Sequence, residues 1–285
     1  MARPDRGRLS MRLSYLGPPG TFSEEAAVRF APDAELVPFP TITASALAVL
    51  SGDADMAVAP VENSLQGAVT ETLDLLIHGE GLHISHELAI DVVHNLMAAP
   101  GVRVSDVKRV YSHPQALGQC ARYLAEHLPG AEAAAAISTA GAVEQAISAD
   151  VPAAAIAPRR AAGLYGATLL AEGIQDDDSN MTRFVVLATE DSAPTGNDKT
   201  SVCFSFDEDR SGLLFGVMER FAQAGINLAK VESRPTRVGL GRYYFLIDLD
   251  GHRSEPKVAA VLESVKELVS EFKIFGSYPK HGPTG

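Results

Sequence analysis

Met56-Ala57-Val58-Ala59 runs into Pro60-Val61-Glu62-Asn63-Ser64, an apolar stretch that stops abruptly in polar residues. A short, continuous apolar run of this kind reads as a strand buried on both faces, as in a parallel sheet. In open α/β sheets ligands bind at the carboxyl ends of such strands. Glu62 and Asn63 would serve equally well as caps of a following helix. Upstream, residues 43 to 51 read as a helix that Gly52 ends, so the local order is Thr43, helix, strand, Pro60. Thr139, a helix to Ser148, Ala153-Ala154-Ala155-Ile156-Ala157 and Pro158 repeat that order. The echo is either chance in an Ala-rich stretch or the mark of two similar α/β lobes with a cleft between them.

Three other stretches have the same character. After the strand Leu13-Ser14-Tyr15-Leu16, Gly17-Pro18-Pro19-Gly20 forces a tight turn, and Thr21-x-x-Glu24 opens a helix as a capping box. The turn lacks the Lys-Ser/Thr pair of a phosphate loop, which excludes that mode of nucleotide binding; it reads either as a simple βα turn or as a site whose free N–H groups suit a carboxylate. Leu88 to Met97 reads as one strand crossing between lobes, and Val107 to Tyr111 as another that ends at Ser112-His113-Pro114. Pro114 starts a helix whose stripe is Leu117, Cys120, Ala121, Leu124 and Leu128, so Gln119 faces away from that helix's own core, either on a solvated face or, with Ser112 at the helix entrance, toward a site. Asp178-Ser179-Asn180-Met181-Thr182-Arg183-Phe184 then feeds the strand Val185-Val186-Leu187. A hydroxyl and an amide at the mouth of a buried strand are costly unless something binds them. Thr182 is thus either a strand threonine bonded to its neighbours or a working hydroxyl.

The 285 residues suggest about two domains. Lys and Arg number 24 against 36 Asp and Glu, a net charge of -12 without a basic run, which argues against nucleic acid as a partner. Arg3, Arg6, Arg8 and Arg12 are not followed by an apolar segment, so the start reads as disordered rather than as a signal or membrane anchor, with Met11 as the native first residue. Cys120 and Cys203 fall in different predicted domains, which fits a reducing cytoplasm. His83-x-x-His86 lacks a nearby Cys or acidic partner, and Asp176-Asp177-Asp178 reads as a solvated loop, so no metal site is expected. Residues 189 to 199 have linker composition. Beyond them the order is βαββαβ, the ferredoxin-like pattern, with Leu214, Val217, Met218 and Phe221 as the core stripe of its first helix.

With these stretches in place, the chain resembles the prephenate dehydratases that carry a carboxyl-terminal ACT regulatory domain. The resemblance runs from Met11 to Tyr278 and rests on Gly17 to Ser23, Pro60 to Ser64, Ser112 to Leu117, Thr182-Arg183-Phe184 and Glu232-Ser233-Arg234-Pro235, in the family's order. It implies an α/β fold: a two-lobed dehydratase domain resembling type II periplasmic binding proteins over 11–188, a linker over 189–199 and a ferredoxin-like ACT domain over 200–280. It implies an enzyme of phenylalanine biosynthesis that converts prephenate to phenylpyruvate, carbon dioxide and water without a cofactor. Catalytic positions carry over to Thr182, Glu62, Asn63, Ser112 and Gln119, and substrate-binding positions to Thr21, Phe22, Ser23, Ser64, Arg183 and Phe184. Phenylalanine as effector, in a homodimer or homotetramer, would use Glu232, Ser233, Arg234 and Pro235 with Gly212, Leu213 and Leu214, where Leu213 stands in place of a small Ala. The rival readings are arogenate dehydratase, which performs the same elimination on the amino analogue, and a non-catalytic small-molecule sensor.

Overall fold

Two sheets with the same strand order carry the amino-terminal part of the protein in the computed structural model, which describes residues 10–236 and 241–281. The disordered start expected over the first residues lies, up to residue 9, outside the described residues. The first lobe opens with β1 (Arg12–Leu16), α1 (Phe22–Phe30), β2 (Glu35–Phe39), α2 (Ile42–Ser51) and β3 (Met56–Asn63). β1 pairs in parallel with both β2 and β3. β4 (Gly67–Ala68) folds back on the end of β3 and sets Asn63 opposite Gly67. The chain leaves through α3 (Thr70–His78), returns as β5 (His83–Asp91) and crosses to β6 (Asn95–Ala98).

The second lobe repeats the plan. It holds β7 (Arg109–Ser112), α4 (Pro114–Gln119), α5 (Ala121–His127), β8 (Glu132–Ala135), α6 (Thr139–Ile147), β9 (Ala153–Ala157), α7 (Arg159–Tyr165) and β10 (Thr168–Ala171), before β11 (Met181–Ala188) re-enters the first sheet. Read in one direction the sheets are β2-β1-β3-β11-β5 and β8-β7-β9-β6-β10. Each places the second, first and third strands of its lobe side by side and then a strand delivered from the other lobe. The helix–strand echo is therefore structural: α2 and β3 hold the places in one lobe that α6 and β9 hold in the other. This is the two-lobed α/β architecture the resemblance implies.

Local chemistry sets the element ends. Thr21 accepts from the Glu24 N–H at 3.4 Å, and Glu24 in turn accepts from the Gly20 N–H at 2.7 Å, a capping box displaced by one residue. Two expectations are corrected. The single strand from Leu88 to Met97 divides at Val92–His94, because Val92 N–H donates to Asn180 O and His94 N–H to the Gln175 side chain rather than to a sheet neighbour. The single helix after Pro114 breaks at Cys120, whose φ of -120° and ψ of 19° leave the helical region.

Compact units do not follow the linear chain. One comprises residues up to Val69 together with Leu88–Phe184, the other Thr70–Glu87 and the chain from Val185 on, so β5 and β11 each pass through a boundary. In the second unit β12 (Asp198–Ser205), α8 (Leu213–Gln223), β13 (Leu228–Pro235), β14 (Tyr243–Asp250), α9 (Pro256–Lys266) and β15 (Glu271–Pro279) form a βαββαβ fold with sheet order β13-β14-β12-β15. Val217 and Phe221 of α8 lie in its core with Val202, Phe204, Ile247 and Leu262, while Leu214 and Met218 pack against them. α3 belongs to this unit: Arg234 bonds Asp74 at 2.8 Å, and Lys273 donates to the carbonyls of Ile77 and Gly79, a cation placed at a helix carboxyl end.

Candidate active site

The polar ends of β3 and β11 meet at Asn63 and Thr182. The Asn63 side-chain oxygen accepts from the N–H groups of Leu65 and Gln66, both at 3.1 Å, and this fixes which way its amide points. Its Nδ2 therefore faces Asn180 Oδ1 at 2.8 Å, Thr182 Oγ1 at 3.0 Å and Met181 O at 3.2 Å. Thr182 accepts in that contact, so its own hydrogen is free to be donated elsewhere. Asn63 and Thr182 are both buried yet both line a cleft of about 740 Å³. Strand alternation sends their neighbours the other way: Glu62 and Arg183 face each other at 3.8 Å and do not line the cleft.

Three helix starts also reach this cleft. Thr21, Phe22 and Ser23 bring the start of α1, His113 and Gln115 that of α4, and Ser138 and Thr139 that of α6. Ser138 caps α6 by accepting from the Gly141 N–H at 2.9 Å. Helix starts offer unpaired N–H groups and a partial positive charge. Among the described residues no lysine or arginine lines the cleft. The lobes are tied beside it by buried Glu24, which holds Arg160 of α7 at 2.7 Å, and by Tyr165, which donates to Pro19 O at 2.7 Å.

Gln119 lines the cleft, its side-chain oxygen 2.8 Å from His94 Nε2. Burial pushes the His94 pKa down from the ordinary imidazole value, which favours the neutral ring. His94 Nδ1, Gln119 Nε2 and Asn180 Nδ2 are buried without a hydrogen-bond partner among the described residues, the kind of debt a ligand settles. Ser112 is placed differently: fully buried, it donates to Ile156 O at 2.7 Å within the sheet and does not line the cleft. Ser64 donates to Ser179 O and accepts from Met181 N–H, which braces the strand ends, and Phe184 is core. The cleft thus gathers Asn63, Gln119, Thr182, Thr21, Phe22 and Ser23. His94 and Ser138 were not singled out in the sequence, and Thr139 was read only as a helix start; Ser138, a hydroxyl residue directly before that helix, left a readable capping signal, whereas His94 left none.

The acidic loop is spent on local bonds. Asp176 accepts from Arg122, Asp177 from Ser179 and Asp178 from Gln175. Among the described residues no three His, Cys, Asp or Glu side chains gather as metal ligands do. In the second unit Gly212 sits at φ 90°, a left-handed position at the start of α8, and Leu213 and Leu214 line a small pocket with Phe206, Tyr243 and Phe245. Register puts Ser233 opposite Phe245 and Pro235 opposite Tyr243, which brings the two expected effector stretches to one region of the sheet. Glu232 is held by Lys230 at 3.1 Å.

Comparison with known proteins matches a family model described as prephenate dehydratase over residues 13–192 and one described as ACT domain over 208–267. A bifunctional chorismate mutase/prephenate dehydratase of Aquifex aeolicus is 40% identical over 95% of this chain and 74% of its own. Arogenate dehydratase 1 of Petunia hybrida is 39% identical over 95% of this chain and 67% of its own. The crystal structure of a prephenate dehydratase from Arthrobacter aurescens, in complex with L-Phe, superimposes with a TM-score of 0.87 at 37% identity, over 95% of this chain and 90% of that one. With a two-lobed cleft followed by a ferredoxin-like domain, the chain belongs to the prephenate dehydratase family and carries its ACT domain.

Proposed function

We propose that the cleft removes carbon dioxide and water from prephenate to give phenylpyruvate, in the phenylalanine pathway and in the cytoplasm. The observation that carries this reading is the Asn63–Thr182 pair, which leaves one buried hydroxyl hydrogen directed away from its bonded neighbour. In the reaction the bond from the ring to its carboxylate breaks, that electron pair enters the ring, and the C4–O bond breaks as the ring becomes aromatic. The departing hydroxide needs one proton to leave as water. Thr182 donates a hydrogen bond to that oxygen as charge builds on it, and solvent supplies the proton in the end. Gln119 and the helix starts at Thr21–Ser23 and Ser138–Thr139 hold the carboxylates. Glu62 and Arg183 brace the strands from the far face, and Ser112 acts through the sheet. Residues 11–188 are assigned to the dehydratase, 189–199 to the linker and 200–280 to the ACT domain.

Prephenate and arogenate share the elimination and differ in a keto or an amino group. Comparing kcat/KM for the two substrates, by appearance of phenylpyruvate or phenylalanine, identifies the substrate. Turnover of neither would return the cleft to a sensor role. Phenylalanine is the effector of the second unit, bound near Gly212–Leu214 and Glu232–Pro235 in a homodimer or homotetramer. Exposed Val231 on the edge strand β13 and exposed Tyr243 on its neighbour β14 support a second copy there. Sedimentation and calorimetry with phenylalanine test this: a monomer that takes up no phenylalanine refutes it.

A further inference from the structure

His94 stands where the chain crosses from the first lobe to the second, and it is held on every side. Its N–H donates to Gln175 Oε1 at 3.0 Å and its carbonyl accepts from Ile174 N–H at 2.9 Å, both on the return crossing. Its ring meets Phe22 of the first lobe edge-on, centroids 5.6 Å apart, and its Nε2 lies 2.8 Å from the side-chain oxygen of Gln119 in the second. Only 2% of the residue is exposed, yet it lines the cleft. An amide oxygen only accepts, so this contact requires the hydrogen of a neutral ring to sit on Nε2. The opposite Gln119 orientation would turn its oxygen away from His94, toward a substrate with two carboxylates. Instead the amide NH₂ is the buried group left without a partner.

We propose that His94 is a positioning residue: by donating from Nε2 to Gln119 Oε1 it locks the Gln119 amide with its NH₂ turned to the substrate. This rests on the dehydratase reading of the cleft.

Two measurements test it. Long-range ¹H–¹⁵N spectra of the full chain, with His94 assigned by its loss in His94→Gln, are expected to show Nε2 protonated and Nδ1 bare at neutral pH, and Gln119→Ala is expected to shift Nε2. A proton on Nδ1 overturns the proposal, and this arm does not depend on turnover. Kinetics on prephenate then compare wild type, His94→Leu, Gln119→Ala and the double variant. His94→Leu is expected to lower kcat/KM about 10- to 100-fold, but by about twofold or less when Gln119 is already Ala. His94→Gln, with an N–H near the Nε2 position, is expected to recover part of the loss and serves where the leucine variant fails to fold. Independent, additive losses overturn the proposal. If the wild type does not convert prephenate, the proposed activity fails, and the spectra still decide the His94 contact.

Discussion

Thr182→Val separates the role of the hydroxyl in catalysis from its role in packing. The valine keeps the branched shape on β11 and removes only the oxygen that accepts from Asn63 Nδ2 at 3.0 Å. Asn63 still has Asn180 Oδ1 at 2.8 Å and Met181 O at 3.2 Å, so its amide is not stranded. The cost in stability is then about 1 kcal/mol, that of one lost hydrogen bond. A hydrogen bond made in the transition state to the departing oxygen is worth about 10² to 10³ in rate. That range equals about 3 to 4 kcal/mol of barrier, well above the stability loss. The assay is phenylpyruvate formation under saturating prephenate, with KM and a urea unfolding curve measured on the same preparation. The expected outcome is a large fall in kcat with KM changed little. A kcat within about threefold of wild type would refute the reasoning, since a hydrogen bond that strengthens in the transition state predicts far more.

Asn63→Asp replaces the Nδ2 donor with an anionic oxygen facing Asn180 Oδ1 and Thr182, so activity is expected to fall at least as far, with about 1 to 3 kcal/mol of stability lost in urea unfolding. Cys120 and Cys203 are buried, with burial pushing both thiols up to about 12, so neither should react with a thiol reagent at neutral pH until the protein is unfolded. The unfolded thiols lose their protons first, so the folded state holds more protons between about pH 9 and 12; stability contributed below that window should decline across it, by up to about 1.4 kcal/mol per pH unit for each thiol, in unfolding midpoints measured against pH. Gly20→Ala places a Cβ 3.1 Å from the Tyr165 ring and 3.2 Å from the Ala161 backbone at a φ of +87°, and about 1 to 3 kcal/mol of destabilisation is expected in urea unfolding. Gln115→Lys introduces a cation at the rim of the cleft and should lower KM and kcat together in steady-state kinetics.

The fold was readable where periodicity and punctuation agree. Met56–Ala59 ending in polar residues, Gly52 closing α2, and the same order at Thr139–Pro158 together describe two equivalent lobes, because each feature is local to a few residues. The breaks at Val92–His94 and Cys120 were not readable. Both depend on partners far along the chain: Val92 bonds Asn180, and the carbonyl of Gln119, just before the break, accepts from the Asp176 N–H. The same distinction divides the site. Asn63, Gln119 and Thr182 carry motifs that mark them, but a motif does not say which neighbour faces inward. At Glu62-Asn63 and Thr182-Arg183 strand alternation decides it, sending one of each pair to the cleft and the other to a salt bridge behind it. Ser112 shares a motif with Gln115, yet its hydroxyl is taken by Ile156 O, 44 residues away.

The lining of the cleft bears on how it would handle a dianion. A lysine or arginine beside the ring carboxylate would stabilise the charge that the reaction must dissipate as carbon dioxide leaves, deepening the ground state more than the transition state. Helix starts orient a carboxylate through fixed dipoles and N–H groups with only a fraction of a full charge. Here α1 comes from the first lobe and α4 and α6 from the second, so an anion with two carboxylates can be held from both sides. His94 lies between, and its burial disfavours the charged ring. What the cleft then concentrates is hydrogen-bond donation: the hydrogen of Thr182 for the departing oxygen and the unpartnered amide of Gln119 for a carboxylate. Oxygen leaving as hydroxide gains negative charge while the carboxylate loses it, so neutral donors aimed at the oxygen favour the transition state where a fixed cation near the carboxylate would oppose it.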